Sequence, residues 1–519
     1  MSNAVNNVAA PNAKRLLWAG FMAILAAGVG FSIRGGILGQ WAEQYGFTMT
    51  ELGAITGGGL TGFGLIILFG SLIADAVGYG KLMWLAFITH VISAVLTLAA
   101  GAAFESGGKD AAFQCLYWGM FLFAIGNGIC EAVVNPLVAT LFPKEKTHYL
   151  NILHAGWPGG LIVGGLAAYV MNPDGQEPVS WQVQISLFMI PVILYGVMIF
   201  GQKFPKSEAG EAGVSYGQMF AQLAAPLMIF LLLIQAMVGY VELGTDSWIS
   251  KITGSIMESP QKGLLLFVYT SGLMFALRFF AGPIVHRISP LGLLFVSGIL
   301  GFTGLQLLGA ATSVALCVIA ATVYACGKTF LWPTMLAVVS ERFPRGGAIT
   351  IGAVGGAGML SAGLLGGPGI GFKQDYHASN LLKQESPAVY ERYQAAAENQ
   401  FLGYSVIGLD GAKVGVLDDG GKELARAADL ANDENTKALE AWWAEASETS
   451  GTDKPAVTAA TLHGGRMALK LTSYVPAVMA VCYLLLILGF KARGGYKAIE
   501  VEETADAPAD SEQFSDNQA

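Results

Sequence analysis

Apolar runs of about twenty residues, the length that crosses a bilayer's hydrocarbon as a helix, alternate along this chain with short polar or basic breaks. Twelve are predicted. Six lie at 15–41, 50–74, 81–103, 112–140, 148–171 and 181–201. Six more follow a polar linker, at 222–248, 262–284, 289–310, 313–340, 347–371 and 467–490. The pattern predicts an all-α integral membrane protein built as two pseudo-symmetric six-helix halves. The first half is 1–201, the linker 202–221, and the second half 222–372 together with 467–490.

Basic residues fall in alternate breaks: Lys14 and Arg15, Lys81, Lys144 and Lys146, Lys203 and Lys206, Arg287, Arg342 and Arg345, then Lys491 and Arg493. All of these lie on one side of a twelve-span chain. The excess of positive charge on the cytoplasmic side therefore places both termini and the linker in the cytoplasm and the protein in the inner (plasma) membrane. The first run has no small-residue cleavage site and reads as a retained span.

One stretch, 373–466, breaks the rhythm between the last two spans, and by the same topology it is extracytoplasmic. It is far longer than an ordinary connection, which predicts structure of its own. A helix is expected from Pro387, a hairpin around Asp410-Gly411 in SVIGLDGAKVGVL, and one or two helices in GGKELARAADLANDENTKALEAWWAEASE, with Trp442 and Trp443 anchoring a small core. Acidic residues well outnumber basic ones there. An acidic cap on its own transporter is the plainer reading, and a module that captures a protein partner or a substrate is the other. The segment 491–519 is acidic and poor in apolar residues, so a disordered cytoplasmic tail is expected.

Composition narrows the functional classes. The chain is 54% hydrophobic and 13% charged, with a mean hydropathy of +0.54 and a net charge of −8. No nucleic-acid surface is expected. The five cysteines all sit in apolar runs without ligand spacing, so neither disulfides nor a metal site follow. Glycine-rich runs such as GWPGGLIVGG lack the strand and the Lys-Ser/Thr pair of a phosphate cradle, and suit close helix packing. No cofactor is implied, and no nucleophile, base and orienter gather in one place as an enzyme would need.

The informative chemistry is polar residues inside spans, where a carboxylate costs at least a few kcal/mol and usually has a task. GNGICEAVVNPLVATLFP carries Asn127, Glu131 and Asn135 at spacings of four, on one helix face. After the hinge PKEKTH, LNILHAGWPGG adds Asn151, His154 and Trp157. Lys328 lies midway along its span, and Arg34 stands in the outer half of the first, about 15 Å from Glu131 along the membrane normal at a rise of about 1.5 Å per residue. Trp157 and Trp332 offer flat faces of the kind sugars stack against.

SLIADAVGYGKL, with Asp75 and Gly78, resembles the loop signature between spans 2 and 3 of the major facilitator superfamily. RFFAGPIVHRISPLG, with Arg278, His286 and Arg287, is similar to its weaker second copy. The resemblance implies a conformational switch at these five residues, although Ala76 stands where the family has Arg, and His286 where the copy would have Asp. GNGICEAVVNPLVATLFP, LNILHAGWPGG, GYVELGTDSWIS and GKTFLWPTMLAVVSERFP further resemble segments of the fucose:proton symporter and related sugar transporters. This likeness adds Glu242, Trp248 and Trp332 to the candidate site. Where those symporters carry an acidic residue in the first span, this chain has Arg34.

The expectation is a monomeric secondary transporter of a small hydroxylated solute, a monosaccharide or a derivative, with protons as the candidate coupling ion. Binding is assigned to Arg34, Asn127, Glu131, Asn135, Asn151, His154, Trp157, Glu242, Trp248, Lys328 and Trp332, and proton coupling to Glu131, His154 and Glu242. Two alternatives remain open: a sugar-acid transporter using Arg34 and Lys328, and a non-transporting sensor acting through 373–466.

Overall fold

The structure, a computed structural model, describes residues 11–47, 49–57, 59–173, 177–430 and 434–500. Nearly all of them are helical. The first half runs through α1 (Ala13–Tyr45), α2 (Met49–Gly57), α3 (Gly59–Val77), α4 (Tyr79–Leu98), α5 (Ala100–Leu141), α6 (Lys146–His154), α7 (Gly156–Met171), α8 (Trp181–Ser186) and α9 (Met189–Ile199). The short helices α10 (Glu208–Glu211) and α11 (Tyr216–Ala221) form the linker. The second half holds α12 (Pro226–Gly239), α13 (Thr245–Ile256), α14 (Pro260–Arg278), α15 (Ala281–Ala310), α16 (Val314–Lys328), α17 (Leu331–Arg342), α18 (Gly347–Ser361) and α19 (Gly367–Glu385). After a small intervening body come α24 (Ser450–Thr472) and α25 (Tyr474–Lys491), its own elements being α20 (Pro387–Tyr393), β1 (Asn399–Phe401), β2 (Tyr404–Val406), α21 (Gly411–Asp419), α22 (Lys422–Leu430) and α23 (Glu434–Ala446).

By length and composition, ten stretches among the described residues are able to cross a membrane. The expected spans 148–171 and 262–284 are helical but are not among the ten. The first divides at Ala155 into helices of 9 and 16 residues, and the second carries Lys262 and Arg278 near its ends. Helix breaks mark the expected turns: Gly108 (φ 70°) bends α5 between 81–103 and 112–140, and Ser289 (φ 64°) bends α15 between 262–284 and 289–310. Wide π turns at Tyr240–Gly244 and Ala362–Gly366 join α12 to α13 and α18 to α19, and they pack on each other.

Lipid tails are as apolar as leucine, so spans associate through close packing and buried polar contacts. Here glycine provides the close packing. α1 lies along α7, where a Cβ on Gly160 would fall on Leu25 O and come within 2.8 Å of Gly28 Cα. Between the halves α3 packs on α18 and α7 on α14. A Cβ on Gly64 would sit 2.9 Å from Leu360 N. Gly160→Ala therefore forces two backbones apart and is expected to cost about 1–3 kcal/mol, visible as a lower midpoint in thermal unfolding of the detergent-solubilised protein. An unchanged midpoint would contradict this packing.

The body between α19 and α24 has its own core of Leu382, Tyr390, Tyr393, Leu417, Val457 and Ala460, flanked by Trp442 and Trp443. Arg392 grips Asp453 with two guanidinium nitrogens, and α22 lies against α1 of the other half. The expected helix from Pro387 and the helical pair α22 and α23 are present. The hairpin is not where Asp410-Gly411 suggested. The Asp410 carboxylate accepts from the N–H groups of Ala412 and Lys413 at 2.9 and 3.2 Å, capping α21, and the strands pair earlier, Asn399 with Val406 and Phe401 with Tyr404. The borders 373 and 466 both fall inside helices, α19 and α24, because a span that turns polar at the bilayer edge goes on as helix. The first residues of the tail are ordered against α17: the Tyr496 hydroxyl donates to Glu341 at 2.6 Å and Ile499 N to Glu341 O at 2.8 Å. Residues 501–519 of the expected disordered tail lie outside the described residues.

Candidate functional site

Between the halves is a small cavity of ≈20 Å³, lined by Phe63, Glu131, His154 and Trp157 from one half and by Glu242, Leu243, Arg278, Trp332 and Met359 from the other. It has room for about one water.

Helix geometry assembles the first wall. Asn135 follows Glu131 by one turn of α5, so its Nδ2 donates to Glu131 Oε2 at 2.6 Å. Its Oδ1 accepts from His154 Nε2 at 2.8 Å, which fixes the imidazole with its proton on Nε2 and leaves Nδ1 as the acceptor of the neutral ring. His154 ends α6, and Trp157, in the first turn of α7, presents an indole whose Nε1 is buried without a partner among the described residues.

Charge lines the second wall. Arg278, 1% exposed, spends its fork on three acceptors: Nη2 donates to Glu242 Oε1 at 3.0 Å, Nε to Thr329 O at 2.9 Å, and Nη1 to His154 O. The last bond crosses from one half to the other. Lys328 is paired with Asp246 Oδ1, one wide turn beyond Glu242. Glu242 Oε2 and Asp246 Oδ2 are buried without hydrogen-bond partners among the described residues. Buried polar atoms are nearly always satisfied, and each exception asks for an explanation.

Of the residues assigned from sequence, Glu131, His154, Trp157, Glu242 and Trp332 meet at the cavity, with Asn135 immediately behind Glu131. The others are placed elsewhere. Asn127 Oδ1 faces His90 Nε2 at 3.0 Å, and the other nitrogen of His90 faces the Tyr195 hydroxyl at 2.9 Å, a buried cluster of α4, α5 and α9. Asn151 Nδ2 donates to Thr334 Oγ1 at 3.2 Å, a second bond between the halves. Trp248 Nε1 donates to Gly367 O at 2.8 Å, away from the cavity. Arg34 lines a separate ≈20 Å³ cavity with Thr56 and Tyr117, its guanidinium 5.8 and 5.7 Å from the rings of Phe31 and Phe123 and its Nε without a hydrogen bond among the described residues.

Among the five switch residues, Gly78 takes φ 92°, a left-handed turn that favours glycine. Asp75 accepts from the Tyr79 hydroxyl at 3.2 Å, and a Cβ on Gly347 would approach its Oδ2 to 3.0 Å. His286 and Arg287 are exposed. Arg278 does not join them: it belongs to the cavity, well inside the bundle. Beside the linker, Lys146 donates to Glu208 at 2.7 Å and to Ser340 O at 3.3 Å, and Thr147 to Glu341 at 2.9 Å, so the end of the bundle that carries the termini is bolted shut across the halves.

Asp246 was legible as an acid four residues after Glu242, the very spacing that singled out Asn127 and Glu131. The expected span ends at 248, two residues beyond it. The helix runs on to Ile256 and buries it.

The sequence profile of the Major Facilitator Superfamily matches residues 20–367. This chain belongs to the major facilitator superfamily. Two relatives are each 26% identical to it: a cis,cis-muconate transport protein of Acinetobacter baylyi over 35% of this chain and 40% of that protein, and a hexuronate transporter of Bacillus subtilis over 31% and 35%. The chain thus spans less than half the length of the curated relatives it matches. Its fold resembles that of FucP, the E. coli fucose:proton symporter, in the outward conformation, with a TM-score of 0.56, 17% identity, and coverage of 69% of this chain and 91% of that one. The major facilitator protein described here is accordingly a multi-pass membrane protein from a superfamily of small-solute transporters, not an enzyme.

Proposed function

We propose that this major facilitator protein moves a monosaccharide or a close derivative by alternating access, with twelve spans, both termini in the cytoplasm and residues 373–466 outside. The observation that carries the reading is the pair of unsatisfied atoms on opposite walls of one cavity. Trp157 Nε1 can only donate and Glu242 Oε2 only accepts when ionised. A sugar hydroxyl does both. The indole faces of Trp157 and Trp332 supply the apolar stacking surface such rings use. A cavity of ≈20 Å³ is far below the several hundred Å³ of a typical small-molecule site, so binding requires the halves to part. Glu131, held by Asn135 and near His154, binds a hydroxyl or takes a proton.

The test is counterflow of labelled sugars in proteoliposomes, with and without a pH gradient. Uptake of a neutral sugar that is faster with protons outside, and that loses this acceleration in Glu131→Gln, is expected. Uptake indifferent to both the gradient and the substitution would sink proton coupling, and no counterflow of any sugar or sugar acid would sink the substrate class.

A second reading, transport of an organic acid, is favoured by Arg34, which has no ion pair among the described residues, whereas Lys328 is already neutralised by Asp246. The relatives named for muconate and hexuronate point the same way. Arg34→Gln should then weaken competition by an acidic analogue while sparing that by its neutral counterpart.

A further inference from the structure

The hairpin β1–β2 carries two of the most exposed large hydrophobic side chains outside the helices, Leu402 at 73% and Tyr404 at 71%. Its direction is fixed by its contacts with α19. Asn399 Nδ2 donates to Asp375 Oδ2 at 3.0 Å, and two residues later the ring of Phe401 lies 5.9 Å from that of Phe372 and against Gly369. From Asp375 back to Gly369 is about 9 Å at 1.5 Å per residue. The strand therefore descends along α19 toward the middle of the bundle, and the turn Leu402-Gly403 is its lowest point.

That level has the composition of a membrane interface, where amphipathic aromatic rings and snorkelling cations collect. Trp248 hydrogen-bonds Gly367 O and stands 5.8 Å from the Lys251 ammonium; Lys373 donates to the Tyr240 hydroxyl at 2.8 Å and to Thr472 at 3.3 Å; Tyr474 is exposed at the start of α25. Tyr240 and Tyr474 also line an apolar groove of ≈320 Å³ between α12, α18 and α25. The turn has φ 49° at Leu402 and 84° at Gly403. Two-residue turns with both φ values positive favour Asn-Gly or Asp-Gly, so leucine occupies a position where a polar residue would fit the backbone better. Its side chain meets neither the core of the small body nor that of the bundle.

We propose that the tip of this hairpin, Leu402 and Tyr404, inserts into the lipid leaflet on the side opposite the termini, so that the body between α19 and α24 rests on the bilayer as an interfacial anchor. Leucine supplies the buried apolar group, and tyrosine, opposite Phe401 in the strand register, the ring with a polar tip at headgroup level.

Spin labels at Leu402→Cys and Tyr404→Cys, in the full chain with its five native cysteines replaced and reconstituted in phosphatidylcholine vesicles, test this. A label at Glu448→Cys, exposed elsewhere on the same body, is the water reference. Relative to that reference, the Leu402 label is expected to collide several-fold more with dissolved oxygen than with a water-soluble nickel chelate. Nickel access equal to that at Glu448 overturns the proposal. Wild-type protein gives a readout that needs no substitution: a bilayer-partitioning carbene reagent, mapped by mass spectrometry, should mark the peptide 399–406, and labelling there no higher than at 447–453 overturns it as well.

Discussion

Arg278→Met is expected to abolish transport and to lower stability by about 3–5 kcal/mol, the usual consequence of breaking a buried ion pair by removing one partner. The reason is in the acceptors it leaves behind. Glu242 would keep a buried carboxylate with neither oxygen satisfied, and the carbonyls of Thr329 and His154 would each lose a charged donor. Thermal unfolding of the solubilised protein reads the first effect and proteoliposome counterflow the second. Arg278→Met combined with Glu242→Gln removes both charges, so most of the stability should return while transport should not, since the bond to His154 O and the Glu242 acceptor are both gone. A double variant that transports at the wild-type rate would show that the pair serves folding alone.

The second large effect belongs to Lys328. Lys328→Met leaves Asp246 unpaired at a buried position, and a loss of about 3–5 kcal/mol is again expected from removing one member of a buried pair. Here the double substitution separates two roles. Lys328 and Asp246 do not line the cavity, so Lys328→Met with Asp246→Leu should recover the melting temperature, because well-packed apolar replacements of buried pairs are often neutral or stabilising. If transport recovers with it, the pair holds α13 to α16. If the folded double variant is inactive, the two charges serve transport and not folding alone.

The stretch from Gly126 to Gly160 was the most legible part of the site. Three of its polar residues share one hydrogen-bonded chain, Glu131 to Asn135 to His154, because spacing along one helix and proximity across a short hinge are both visible in sequence. Asn127 had the same spacing and a different fate: one turn away along α5 its neighbours are His90 and Tyr195, and which neighbour a helix face meets is a property of packing, which periodicity does not carry. The reach of Arg278 to the His154 carbonyl was illegible for the same reason, since a backbone acceptor in the other half leaves no mark on the sequence. Helices were read well and their ends badly. Apolarity stops at the bilayer edge while α13, α19 and α24 do not, so the expected span ends at 248, two residues past Asp246, and the small body is drawn too long. At Asp410-Gly411 one dipeptide fits both a hairpin turn and a helix cap, and the side-chain bonds to Ala412 and Lys413 decide it.

Glu341 has a further consequence for biogenesis. Its carboxylate is shared by Thr147, from the first half, and Tyr496, after the last helix, while its carbonyl holds Ile499. Synthesis delivers these groups in that order, so a nascent chain must place helices of both halves in the bilayer before Glu341 can find Thr147, and must have extended past α25 before Tyr496 and Ile499 can engage it. Among the described residues, the clasp of Tyr496 and Ile499 on Glu341 is thus the part of this seal that the ribosome makes available latest.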